Sequence, residues 1–443
     1  MFLIYSTFAN MFEGKKVAFY TLGCKLNFSE SSTIARQLNK IGFIRNDFNL
    51  GADLFVINTC SVTENANKEC RRIIRKAKKT SPNSFVVITG CFAQLKPKVI
   101  SEMEGVDMVL GANEKFNLPN LLENLENKKV GEIHGCEISE LSYCSSFSLE
   151  ERSRSFLKIQ DGCDYPCTYC TIPLARGKSR CGTIIDITSN ARKIAESGIK
   201  EIVITGVNIG EFIDPITGDN FFELIKKLED VEGIERYRIS SIEPNLITDE
   251  IIEFVKNSKK FMPHFHIPLQ SGSDEILGKM KRRYRTDLYK NKVEEIVSEI
   301  PEVCIGADII VGFPGETDEL FNSTLNFIKE LPISYLHVFS YSERENTLSI
   351  NMDGVVEKQK RAERSKMLRI LSDKLQNAHC QKYIEATQTA LFEKENKNGF
   401  LFGFTDNYIK VKIPFSESFV QQKLKIKLLS FDEKGNILSE LKK

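Results

Sequence analysis

The chain has 443 residues, with 61 Lys and Arg against 60 Asp and Glu, so no bulk field draws it to nucleic acid or membrane. Charged residues at 27% and hydrophobic residues at 41% exclude a disordered or membrane-embedded class. Twelve cysteines, no export leader and no apolar run of spanning length predict a cytoplasmic chain whose cysteines bind metal or do chemistry, not a disulfide scaffold.

Met1–Asn10 reads as an extension outside the fold. Over residues 15–127, apolar runs alternate with helical patterns. Val17–Gly23, Asp53–Asn58, Phe85–Gly90 and Val106–Gly111 read as strands, with helices from about Ser29 and over Glu64–Lys79. Near-continuous β-branched runs between helices predict a parallel, doubly wound α/β domain. Residues 128–153 lack clear periodicity and read as a linker. Over 154–384, six strand candidates alternate with helices: Phe156–Gln160, Glu201–Gly206, Arg236–Ser241, His264–Leu269, Val303–Gly312 and Tyr335–Tyr341. They predict a partial (β/α)6 barrel, two units short of the eight-fold form, followed by a long charged helix over 357–385. From 385 to 443, short alternating strands with turns at Asn398-Gly399, Asp406-Asn407 and Lys434-Gly435 predict a small all-β, OB-like barrel.

Chemistry concentrates in DGCDYPCTYC, where Cys163, Cys167 and Cys170 directly follow the first barrel strand. Ferredoxin runs use a different spacing and a fourth cysteine. Three thiolates leave one iron of a cubic cluster open to a non-protein ligand, as catalytic zinc keeps an open position. The alternatives are a zinc site completed by a distant histidine, or three unrelated thiols. Polar or glycine-bearing turns end the other barrel strands, on the rim where barrel active sites sit. They carry Gly206 and Asn208, then Ser240 and Glu243, then Gln270 and Ser271, with Asp308, Val311 and Gly312 closing the fifth strand. These are candidate contacts for an amino-acid and ribose-bearing cofactor. His264 and His266 read as packing or rim residues.

Cys24, Cys60 and Cys91 are scattered, yet each follows the end of a separate predicted parallel strand. Such ends face one crevice, so the three can converge in space. Cys70, Cys136, Cys144, Cys181, Cys304 and Cys380 fit no motif.

The loop of Cys163, Cys167 and Cys170, with Tyr169 before the third cysteine, resembles the radical S-adenosylmethionine (SAM) signature. TLGCKLN, INTCSVT and ITGCFAQ resemble the amino-terminal domain of the methylthiotransferases, and the resemblance extends to a carboxy-terminal TRAM domain. It implies two [4Fe–4S] clusters, one on Cys163, Cys167 and Cys170 and an auxiliary one on Cys24, Cys60 and Cys91. It further implies two SAM molecules per turnover, one for the 5′-deoxyadenosyl radical and one for the methyl group. A low-potential flavodoxin- or ferredoxin-type donor, a monomer and a tRNA anticodon stem-loop substrate complete the expectation. Lys25 after Cys24 resembles the branch acting on threonylcarbamoyladenosine at position 37 of tRNA. The isopentenyladenosine and ribosomal-protein aspartate branches are the alternatives, and a non-enzymatic iron–sulfur protein is the reading from another class. SYSERENT departs from the family's usual arginine-proline-glycine turn. No side chain is assigned as acid or base.

Candidate RNA contacts are Arg71, Arg72 and Arg75 on the first domain's charged helix, and Lys410, Lys412 and Lys425 alternating on terminal strands. The nearby Phe404 and Tyr408 read as core.

Overall fold

A computed structural model describes residues 12–61, 64–122, 131–135, 138, 141–149 and 153–442; the expected extension Met1–Asn10 lies outside them. The chain divides into two compact units. The first comprises residues 1–148, 156–164 and 171–182, and the second residues 149–155, 165–170 and 183–443. Among the described residues no helix is long and apolar enough to cross a membrane.

The first unit is built on β1 (Lys16–Thr21), β2 (Ile44–Arg45), β3 (Leu54–Thr59), β4 (Phe85–Gly90), β5 (Met108–Leu110) and β6 (Glu132–His134). All six are parallel, in the order β2-β1-β3-β4-β5-β6. β3 is buried at every position because LFVINT sends side chains into both covered faces. Helix Glu64–Thr80 packs Cys70, Ile73, Ile74 and Ala77 against Phe55, Ile57, Val86 and Ile88. On the other face, helix Lys25–Lys40 packs Ile34 and Leu38 with Val17, Val56 and Val87. The chain leaves β1 to one side for β2 and returns on the other for β3, which opens a crevice past their carboxyl ends. β6 corrects the expectation of a linker over 128–153. It is too short to carry a period and exists through its pairing with β5.

β7 (Arg154–Lys158) starts in the second unit and ends in the first, where β8 (Gln160–Asp161) pairs antiparallel with β9 (Arg180–Cys181). The second unit continues with parallel β10 (Glu201–Thr205), β11 (Arg236–Ile239), β12 (His264–His266), β13 (Cys304–Val311) and β14 (Tyr335–Ser340). Bridges Tyr237–Phe261 and Ser241–His266 carry the order across β11 and β12. This is the partial barrel that the apolar runs predict. Phe265, Ile305, Ala307 and Ile309 are buried on one face, which leaves His264, His266 and Asp308 on the other.

The terminal barrel closes in the order β15-β16-β17-β19-β18, with β15 Thr387–Lys397, β16 Phe400–Thr405, β17 Lys410–Pro414, β18 Lys423–Phe431 and β19 Ile437–Leu441. β19 is one strand more than the sequence reading named. The turn between β16 and β17 is held by arginines of the larger barrel. Arg236 donates to the carbonyls of Phe404 (3.1 Å) and Thr405 (2.8 Å), and Arg238 to those of Thr405 (2.7 Å) and Asp406 (3.0 Å). Glu201 pairs with Arg236 (3.1 Å) and Arg238 (3.3 Å), and Arg154 stands 3.7 Å away. The Tyr408 ring lies 4.3 Å from His264, and Arg154 lies 4.7 Å from the Phe404 ring centre. Phe404 and Tyr408 are thus half-buried against the larger barrel, a correction to the core reading, because the inward positions of β16 go to Leu401, Gly403 and Thr405.

Burial alone would raise the Glu201 carboxyl, but Arg238, Arg236 and Arg154 outweigh it and hold the group at about 2. Its stabilising contribution, about 3 kcal/mol, is complete above the ordinary value near 4.5 and is lost as pH falls from there toward 2. Glu201→Leu strands buried arginines and is expected to lower stability by about 3–5 kcal/mol at neutral pH. Hydrogen exchange of β10 and β11 measures this; unchanged protection contradicts it.

Candidate functional site

β1, β3 and β4 are neighbours in the sheet, and each delivers a cysteine past its carboxyl end. Cys24 stands directly before helix Lys25–Lys40, Cys60 follows Thr59 directly, and Cys91 follows Gly90. Glycine permits the approach: a Cβ on Gly23, at φ +95°, would lie 2.9 Å from the Cys60 Sγ. Asn27 donates to the carbonyls of Leu22 (2.8 Å) and Thr59 (3.1 Å), which ties the Cys24 turn to the strand end before Cys60. Thr59 Oγ1 donates to the Thr89 carbonyl (2.5 Å) and so joins β3 to β4. Cys24 opens onto solvent from a recess dense with protein atoms; burial there raises its thiol, and Arg176 opposes the rise. Three soft thiols suit zinc or an iron–sulfur cluster, not magnesium or calcium.

Around Arg176 the first unit holds a set of buried charges. Its guanidinium donates to Glu30 (3.0 Å), Asp161 (2.9 Å) and Asn27 Oδ1 (2.7 Å). Lys115 lies 2.7 Å from Glu30, and Lys158 lies 3.5 Å from Glu30 and 3.4 Å from Asp161. Burial works against Glu30, but Arg176, Lys115 and Lys158 hold its carboxyl at about 2. Asp161 stands two residues before Cys163 and accepts from the Gly162 N–H (2.9 Å). The Cys163 N–H donates to the Gly177 carbonyl (3.1 Å).

Cys167 and Cys170 belong to the second unit. The Cys170 N–H donates to the Cys167 carbonyl (3.1 Å), which makes a tight turn. Thr168 anchors that turn to the carbonyls of Met280 (3.2 Å, N–H) and Lys279 (2.9 Å, Oγ1). Arg282 donates to Cys167 Sγ (3.1 Å) and to the Tyr284 hydroxyl (3.2 Å), and pairs with Glu243. Burial disfavours the Arg282 charge, yet the facing Tyr284, Tyr169 and Glu243 keep it well above its ordinary range. Burial raises the Cys167 thiol and Arg282 lowers it.

Among the other expected rim residues, Asn208, Ser240 and Ser271 are buried. Ser240 Oγ has no hydrogen-bond partner among the described residues, as a polar group facing a ligand would. Ser271 Oγ is 3.2 Å from Thr324 Oγ1. Gln270 takes a left-handed φ of +65° and its N–H donates to the Asp308 carbonyl (2.8 Å). Gly206 follows β10, and Val311 is buried at the end of β13.

A Cβ on Gly312 would meet the Arg361 side chain at 2.3 Å, so an arginine packs against this glycine. Asp308 is engaged by His266 (2.9 Å) and His337 (3.3 Å) from the adjacent strands; burial notwithstanding, they hold it well below the usual carboxylate range. His266 is therefore one arm of an Asp-centred cluster, not simple packing.

Of the RNA candidates, Arg71 and Arg75 are exposed and line a 680 Å³ surface cavity. Arg72 is exposed but bound to Glu69 (2.7 and 2.5 Å). Lys410 and Lys425 are exposed. Lys412 is a correction: it is largely buried over the Phe400 ring and paired with Asp432 at 2.5 Å, so it offers phosphate little.

Residues 16–111 match the model of uncharacterized protein family UPF0004, and residues 157–328 that of the radical SAM superfamily. The chain is 37% identical to the threonylcarbamoyladenosine tRNA methylthiotransferase MtaB of Bacillus subtilis, over 93% of each chain. It is 38% identical to the MtaB of Rickettsia prowazekii, over 89% of this chain and 90% of that one. The chain belongs to the radical SAM tRNA methylthiotransferase family. It is also 33% identical to a tRNA-2-methylthio-N(6)-dimethylallyladenosine synthase of Clostridium tetani, over 85% of each chain. The radical SAM methyltransferase TsrM of Kitasatospora setae shares the fold, with a TM-score of 0.56 at 14% identity over 76% of this chain and 77% of that one.

As a radical SAM methylthiotransferase the chain works with a [4Fe–4S] cluster and SAM. Sequence reasoning missed Arg176, Glu30, Arg282 and His337. No spacing marks them, since each acts on a residue far along the chain. Arg282→Lys keeps a cation but loses the planar fork that reaches Cys167 and Glu243 together. It is expected to slow SAM cleavage about tenfold, roughly 1.4 kcal/mol of barrel-side positioning, at full iron content. Measured 5′-deoxyadenosine formation at the wild-type rate contradicts this.

Proposed function

We propose that the chain adds a methylthio group to C2 of N6-threonylcarbamoyladenosine at position 37 of tRNA, in the anticodon stem-loop. The observation that carries the substrate is graded similarity along nearly the whole chain. Relatives named for threonylcarbamoyladenosine are 36–38% identical, and those named for dimethylallyladenosine 30–33%. Lys25 after Cys24 agrees with that ranking.

Cys163, Cys167 and Cys170 are proposed to hold the radical-generating cluster, and Cys24, Cys60 and Cys91 a second [4Fe–4S] cluster. When bound, the first cluster would pass one electron to SAM, which would part into methionine and a 5′-deoxyadenosyl radical, while the second would present sulfur and a second SAM would supply the methyl group. The chain's own work is to present three thiols per site, which leaves one metal position open to a non-protein ligand. Arg282 orients Cys167, while Asn208, Ser240, Glu243 and Ser271 offer the rim's polar groups to SAM. Arg71, Arg75, Lys410 and Lys425 are exposed cations suited to tRNA phosphates. A low-potential flavodoxin- or ferredoxin-type protein is the proposed electron source.

Mass analysis of tRNA nucleosides from cells lacking the gene tests the substrate. Loss of the methylthio form of threonylcarbamoyladenosine is expected; loss of the methylthio isopentenyl nucleoside instead overturns it. Anaerobically reconstituted protein is expected to carry about eight irons, two four-iron clusters. Cys60→Ala is expected to lose roughly half of them and still cleave SAM. A variant with full iron refutes the second site.

A further inference from the structure

The charges buried around Arg176 do not balance. Lys115, Lys158 and Arg176 have side chains at most 4% exposed, and among the described residues they face only two carboxylates, Glu30 at 0% and Asp161 at 5%. Arg180, 15% exposed and 3.2 Å from Asp161, adds a further positive charge at the edge. The groups acting on Lys115 are Glu30, Arg176, Lys158 and Asp161, and burial pushes its ammonium down, as a surplus of cations would. An unpaired buried charge is costly, so such an arrangement calls for an anion close by. Arg176 shows where that anion belongs. Asn27 Oδ1, which accepts from its guanidinium at 2.7 Å, lies 3.8 Å from the Cys24 Sγ, so the fork of Arg176 stands one side chain behind the thiol site.

We propose that the surplus positive charge of this network is the built-in counter-charge of an anionic metal–thiolate group at Cys24, Cys60 and Cys91, and that Arg176 is the positioning residue that delivers it. The inference rests on the second-site reading above. Three thiolates outweigh the two positive charges of an oxidised four-iron, four-sulfide core by one, which matches the sign of the surplus. Arg176 also acts mechanically. Its fork holds Asn27, whose amide fixes the Leu22 and Thr59 carbonyls beside Cys24 and Cys60, and it holds Asp161 on the strand that leads into Cys163. One side chain therefore sets the charge behind the sulfur ligands and the frame of two cysteine-bearing segments.

Lys115→Met tests the charge, because it removes the surplus while leaving the Arg176 fork intact. The metal-free variant is expected to melt at a higher temperature than metal-free wild type, and the reconstituted variant to lose auxiliary iron to a chelator several-fold faster. A metal-free variant that melts lower, or fails to fold, overturns the counter-charge. Arg176→Met is expected to shift the auxiliary cluster's potential, followed by EPR in the reconstituted holoenzyme, to a more negative value. Arg176→Lys is expected to keep the potential yet speed hydrogen exchange over residues 158–164 of the metal-free chain. An unchanged potential in Arg176→Met, or unchanged exchange in Arg176→Lys, overturns the role of Arg176. Wild-type protein that binds about four irons instead of eight refutes the second-site reading itself. Eight irons with no response to these substitutions refutes this inference alone.

Discussion

A buried guanidinium is tolerable only where acceptors meet its fork, and the fork of Arg176 dictates where Glu30, Asp161 and Asn27 stand. Those partners come from helix Lys25–Lys40, from β8 and from the turn that opens the helix. The parallel sheet places three cysteines on one crevice, and the arginine fixes the surroundings of that crevice. The sheet alone would supply nearness without a defined charge.

The second unit solves a similar problem with the same residue type. Arg236 and Arg238 satisfy backbone carbonyls of the β16–β17 turn, and Glu201 offsets their charge. Arg364 pairs with Glu316 (2.6 Å), whose carboxylate also accepts from the Gly312 N–H (2.8 Å). Gly312 is needed because Arg361 lies against it and its φ is +74°. The turn from Gly312 to Glu316 therefore also joins the barrel to helix Lys358–Gln381.

What was legible in the sequence follows from what repeats along it. β-branched runs between helices marked β1, β3, β4 and the barrel strands, because burial on both faces leaves a continuous apolar trace. The cysteines at the ends of β1, β3 and β4 were legible because parallel topology turns a position in sequence into a position in space. β6 was hidden, since three residues carry no period. Arg176 and Glu30 were hidden for another reason: 146 positions separate them, and neither belongs to a recurring pattern. Lys412 followed the expected alternation yet faces Asp432, because a barrel as small as this one turns its own loop acids onto its strands. Period locates a face, but only tertiary contact says whether a charge on it is spent.

Both groups of thiols have an arginine close by: Arg282 donates to Cys167, and Arg176 holds Asn27, whose Oδ1 lies 3.8 Å from the Cys24 Sγ. A lysine in either place would be a poorer choice. Burial lowers an ammonium toward neutrality, as it does for Lys115, whereas a guanidinium stays charged at any accessible pH. Both arginines in fact sit well above their ordinary range despite burial. A sulfur site that changes charge during turnover needs a field that does not change with it. Permanent charge, fixed in direction by a planar fork, meets that need, and it fits the place of Lys115 and Lys158 one residue further back, on Glu30.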